Sequence, residues 1–166
     1  MERRQFVGQI GILGAALAAS TVRSVRAEAP AAKSAAPSAL LVKSPAVLKM
    51  LPSFAEVSST CTLKGDLCVQ MCEEQLAQGN AEFVNCLISV SQMVVICGAV
   101  TKLATMKSVR LSETLDACLA ACKACKESCE EHKAHWKHGM HLECKVCAEN
   151  CDKMITAVNK LKAALA

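Results

Sequence analysis

Residues 111–136 read LSETLDACLAACKACKESCEEHKAHW, and their apolar and thiol positions keep one spacing throughout. Leu111, Leu115, Cys118, Cys122, Cys125, Cys129, His132 and Trp136 follow one another at gaps alternating four and three. Residues so spaced fall on one stripe of an α-helix, because a turn takes about 3.6 residues. Lys123, Lys126, Glu127, Glu130 and Lys133 lie on the opposite face, as a wetted surface requires. The stripe therefore predicts a helix whose thiols face other helices.

The same alternation recurs on both sides. Downstream it runs through Cys144, Cys147, Cys151, Met154, Val158, Leu161 and Leu165. Upstream it links Cys86, Val90, Met93, Cys97, Val100 and Ala104, and before that Cys61, Gly65, Cys68 and Cys72. Four helices are expected: about Ser53–Gln78, Ala81–Met106, Ser112–Trp136 and His141–Leu165. Ser53, Asn80 and Ser112 stand in N-cap positions, and Gly79 and Gly139 close turns. Three short connections make neighbours antiparallel, so the expected fold is all-α, an antiparallel up-down-up-down four-helix bundle. Residues 53–166 form this Cys-lined bundle.

The N-terminus reads differently. Residues 1–27 have a charged start, an apolar run from Val7 to Ala19 and a small-residue site at Val25-Arg26-Ala27, the pattern of an export signal. Arg3-Arg4-Gln5-Phe6-Val7 resembles a twin-arginine signal, although Glu2 departs from the usual Ser or Thr; a general secretory signal is the other reading. The expected location is therefore exported, in the periplasm, once residues 1–27 are removed. Residues 28–52, rich in Ala and Pro, read as a flexible tether, with Leu48, Met50 and Leu51 forming a docking turn before Pro52. Beyond the signal no stretch is expected to reach the roughly 20 apolar residues that span a membrane.

Composition narrows the function. The chain of 166 residues carries 12 Cys, no Tyr, three Phe and one Trp, so nucleic acid finds no aromatic stacking platform. Of the 19 basic and 15 acidic residues, the signal holds four and one; the remaining 15 and 14 leave a net charge of +1 and indicate no electrostatic partner. No Ser/His/Asp set, paired carboxylates or Gly-rich phosphate loop argues for an enzyme.

All 12 cysteines, Cys61, Cys68, Cys72, Cys86, Cys97, Cys118, Cys122, Cys125, Cys129, Cys144, Cys147 and Cys151, occupy the inward stripes. Cys fills a core less well than Leu or Ile, so an occupant between the helices is expected. Thiolates are soft donors that select Cu(I), zinc or iron–sulfur clusters. A zinc ion with four thiolates keeps about two negative charges, costly to bury several times over. Cu(I) with one thiolate per ion is neutral. If each ion takes two sulfurs and each sulfur bridges two ions, the column holds on the order of 12 Cu(I), one per Cys. Two alternatives stay open. One is a disulfide-stapled helical assembly protein, which a free-thiol count separates. The other is an iron–sulfur redox protein, whose brown colour contrasts with ultraviolet-only Cu(I)–thiolate absorption.

Every His lies in the third connection, at His132, His135, His138 and His141. In an antiparallel bundle this connection shares an end with the Gly79-Asn80 turn, while Phe54, Val100, Ala104, Leu111, Leu115, Val158 and Leu161 stopper the other end. The thiol column is thus expected to open at the His-rich end. His132, His138, Met140 and His141 are candidates to admit or release Cu(I), and Met93 and Met154 are candidate thioether ligands beside Cys97 and Cys151. Ile88 and Val95 make the second helix apolar on its outer side, a candidate oligomer contact.

The run Cys118-x3-Cys122-x2-Cys125-x3-Cys129 with Cys144-x2-Cys147-x3-Cys151, behind a twin-arginine-like signal, resembles the copper storage proteins. The resemblance covers about residues 53–166 and the signal. It implies four-helix bundles assembled as homotetramers, with Cu(I) held mainly by pairs of Cys. It further implies exported members that supply copper-accepting enzymes, such as the methane-oxidising membrane enzyme, and that are not enzymes themselves.

Overall fold

The computed structural model describes residues 42–165. They fold into five α-helices, α1 (Pro45–Ala77), α2 (Val84–Thr105), α3 (Leu111–Glu130), α4 (Lys133–Trp136) and α5 (Leu142–Leu165), with a 3-10 turn at Ala81–Phe83 before α2. The architecture is all-helical among these residues. The signal expected over residues 1–27 and the first part of the tether lie outside the described residues.

Four long helices share the core. α1 packs on α2 and α5, and α3 packs on α2 and α5, so each touches two of the others. The pairings run in opposite numerical senses along neighbouring helices. Ser58 Oγ donates to the Cys97 carbonyl at 2.8 Å, and Cys61 meets Met93 at 3.5 Å. Cys125 faces Cys147 at 3.6 Å, while Lys126 reaches Asp152 at 2.7 Å and Lys162 pairs with Asp116. The alternating stripes are the buried ones. Every seam residue from Leu111 to His132 and from Cys144 to Leu161 is buried, as are all six on α2.

Several boundaries differ from the sequence expectation, each for a local reason. α1 starts at Pro45, not Ser53, so residues 45–52 are helix rather than tether. Ser44 caps it, its Oγ accepting from the Val47 N–H, and Pro45 occupies the first turn, where no intrahelical donor is lost. Pro52 is accommodated inside the helix, although an internal proline removes one backbone hydrogen bond. Val47, Leu51 and Phe54 are buried, and that burial offsets the lost bond. Ser53 then lies mid-helix and its hydroxyl donates to the Met50 carbonyl at 3.0 Å. Asn80 precedes the 3-10 turn but turns back to Gln75 Oε1 at 2.7 Å, making no cap bond. Ser112 is the second residue of α3, its hydroxyl donating to the Val109 carbonyl at 2.9 Å. The third helix ends at Glu130 rather than Trp136, because His132 leaves the helical path at φ −89°, ψ 9°.

The second helix is more apolar than the sequence expectation allowed. Ala81–Thr105 is long and apolar enough to cross a membrane by length and composition alone, with a mean hydropathy of 2.0 over its best window. The sequence reading divides its apolar residues between the seam and an outer oligomer face at Ile88 and Val95, and so does not sum them into a span. Its inner face packs on α1 and α3, while Val84, Ile88 and Val95 are exposed on the other.

α1 and α2 approach closely at Gly65. A Cβ there would come 2.5 Å from Val94 Cγ2 and 2.7 Å from Met93 Cε, closer than packed carbons tolerate. Gly65→Ala is expected to destabilise the fold by about 1–3 kcal/mol through overpacking, despite the better helix propensity of Ala. A thermal melt of the variant checks this; an unchanged or raised midpoint would show that Met93 swings aside freely.

Candidate metal centre

The four stripes bring every cysteine inward. All 12 thiols are fully buried, and none is bonded to another. They gather in groups. Cys68 of α1, Cys86 of α2, Cys129 of α3 and Cys144 of α5 form a tetrad with one sulfur from each long helix. Within it Cys68 lies 3.6 Å from Cys144 and 4.0 Å from Cys129, and Cys86 lies 3.7 Å from both. Cys61, Cys97 and Cys122 form a second group, and Cys125, Cys147 and Cys151 a third. Cys118 approaches Cys97 at 4.0 Å. These separations exceed the roughly 2.05 Å of a disulfide but suit two sulfurs converging on one ion.

Hydrogen bonding between thiols splits their acidities. Bonds from Cys129, Cys68 and Cys72 bring Cys144 down to about 5. Cys86 is held well below the usual thiol range, chiefly by Cys129 and then by Cys144, and Cys147 chiefly by Cys125. Cys97 is lowered by Cys118 and Cys122. The partners move oppositely: Cys129 is pushed up by bonds to Cys125 and Cys144, and Cys151 by bonds to Cys122 and Cys125. A thiolate that accepts S–H bonds from its neighbours is stabilised, and the thiolate is the form that binds metal.

The auxiliary candidates separate. Met93 is buried and its Sδ accepts from Cys61 Sγ at 3.5 Å, which places a thioether at the edge of the second thiol group. Met154 is buried on α5. His138 and Met140 are exposed, and His138 joins no metal-competent group among the described residues, whereas His132 is only 4% exposed.

The His-rich end is covered, which corrects the expected open mouth. Phe83 lies one turn before Cys86 on the same helix face and is fully buried. His132 stacks flat on it, with centroids 4.1 Å apart and planes 7° apart, and His141 meets it edge-on at 4.8 Å. His141 reaches that position in the left-handed region, at φ 52°. At the opposite end Phe54, Val100, Ala104, Leu111, Leu115, Val158 and Leu161 are all buried, as expected of an apolar plug. Phe83 was missed because the seam was counted only from Cys86; extending the alternation by one step of three finds it.

No curated protein matches the chain. A family model described as copper storage protein matches residues 49–161, about two thirds of the sequence and all 12 cysteines. With twelve buried, unbonded thiols lying within those matched residues, the chain belongs to the copper storage protein family.

Proposed function

We propose that this chain stores Cu(I) by multinuclear thiolate coordination inside an antiparallel up-down-up-down four-helix bundle. The observation that carries the reading is the burial of all 12 unbonded thiols on faces that meet one another. Thiolates supply the soft donors that a monovalent soft ion prefers, and one negative sulfur per ion leaves a neutral interior. Cys61, Cys68, Cys72, Cys86, Cys97, Cys118, Cys122, Cys125, Cys129, Cys144, Cys147 and Cys151 are the ligands, with Met93 and Met154 as auxiliary thioethers. The protein is a carrier of cargo, not a catalyst, and its copper passes to an accepting enzyme. Residues 1–27 direct export through the twin-arginine route to the periplasm. Folding before export would keep the thiols reduced until the core has closed. The exposed Val84, Ile88 and Val95 on α2 are the surface through which copies assemble into a tetramer.

Anaerobic titration of the reduced protein with Cu(I), followed by metal-to-protein ratio, tests the reading. Uptake should continue to on the order of 12 ions per chain, with ultraviolet absorption alone. Saturation at one or two ions, brown colour as isolated, or a free-thiol count far below the number of cysteines would overturn it.

A further inference from the structure

Among the described residues, one donor cluster stands outside the thiol column. Glu82, His132 and His135 each offer a ligand atom, and these atoms lie within 4.8 Å of one another. Glu82 comes from the 3-10 turn between α1 and α2, and the two imidazoles from the connection between α3 and α5. His132 is 4% exposed, yet its Nε2 has no hydrogen-bond partner, and neither has Nδ1 of the half-buried His135. Buried ring nitrogens are nearly always satisfied, so an unpartnered one on each imidazole of a cluster that also holds a carboxylate points to an absent electron-pair acceptor.

We propose that Glu82, His132 and His135 form a binding site for a divalent cation of the zinc type, separate from the thiol column. Two imidazoles and a carboxylate are harder than thiolates; they suit Zn(II) and its neighbours rather than Cu(I). One carboxylate and two neutral imidazoles offset half of a divalent charge and leave a fourth position to water. The His132 and His135 rings lie near one another, with centroids 6.1 Å apart. A tetrahedral zinc ion holds its donors roughly 3.4 Å apart, so closure asks for a movement on the order of 1 Å. The exposed Glu82 side chain can make that movement by changing rotamer. The stack on Phe83 fixes the His132 ring in advance. A bound ion would tie together the two connections that meet at this end.

The full chain is first loaded anaerobically with Cu(I) until no thiol reacts, then titrated with Zn(II) by calorimetry and measured by zinc X-ray absorption. One zinc per chain with a nitrogen and oxygen shell is expected. His135→Ala and Glu82→Gln should each weaken binding at least about tenfold. His132→Phe, which keeps the ring stack, should do the same, and His138→Ala should leave zinc affinity unchanged. A sulfur shell, no zinc uptake, or affinity unmoved by the first two substitutions would overturn the site. A chain that takes up no Cu(I) would overturn the storage reading instead, before any zinc is added. The zinc shell would then still be read by comparing the unaltered chain with His135→Ala.

Discussion

With Cys68, Cys86, Cys129 and Cys144 all changed to Ser, the chain should lose about a third of its Cu(I) capacity, four of its 12 thiols being gone. The four belong to one group, with a sulfur from each long helix and neighbouring separations of 3.6–4.0 Å. Removing them together therefore deletes a complete set of bridges rather than thinning several. A serine hydroxyl is a hard donor that does not replace a thiolate for Cu(I), and in a helix it can bond the carbonyl four residues back. The groups at Cys61, Cys97 and Cys122 and at Cys125, Cys147 and Cys151 keep their sulfurs and should still load. Metal-to-protein ratio after anaerobic titration measures the loss, and a thermal melt checks that the variant is folded. The corresponding Ala variant controls for the buried hydroxyls. Capacity equal to that of the unaltered chain would remove the tetrad from the ligand set.

Phe83→Ala has the largest expected effect on the fold and on the speed of exchange. The ring is fully buried between His132 and His141 and closes the end of the column beside Cys86. Truncating a buried aromatic costs about 3–5 kcal/mol, partly in lost transfer and partly in the cavity left behind. For a fold of this size that is a fall in midpoint of roughly 10–20 °C. Removal of Cu(I) by a chelator should become much faster, because the covering ring is gone while every thiol remains. Phe83→Leu separates the two effects: it refills most of the volume, so stability should largely return, whereas the stack on His132 does not. Removal rates identical in all three proteins would show that ions leave by another path.

The inward stripes were legible because gaps of three and four from Leu111 to Cys129 and from Cys144 to Leu161 admit one helical face, and each of those residues is buried. The second helix was less transparent. Apolar on both sides, it carries a seam as regular as the others but also passes for a span, and only the packing of α1 and α3 distinguishes its faces. Helix ends were the least legible. Pro52 looks like a stop in isolation, yet Ser44 and Pro45 make a better start, and burial of Val47 and Leu51 carries the helix through. Ser53 and Ser112 have cap chemistry but lie within helices, where their hydroxyls bond carbonyls three residues back.

At the site, the sequence placed all 12 thiols inside but could not group them, since grouping depends on how far each helix slides along the next. The tetrad joins positions 76 residues apart, Cys68 and Cys144, and only tertiary register sets that meeting. The covered end was hidden for a related reason. His132 reads as one more seam position, and its stacking on Phe83 needs two connections, remote in sequence, to meet.

The early start of α1 bears on the order in which cargo would move. Its first turns lay Val47, Leu51 and Phe54 over the end remote from Phe83, so that end is sealed by several side chains on a continuous helix. The other end is closed by one ring and its two imidazole neighbours. Were copper stored as proposed and exchanged past Phe83 alone, the tube would behave as a magazine loaded from the top: the deepest ions would arrive first and depart last, and only the uppermost would be ready for hand-over.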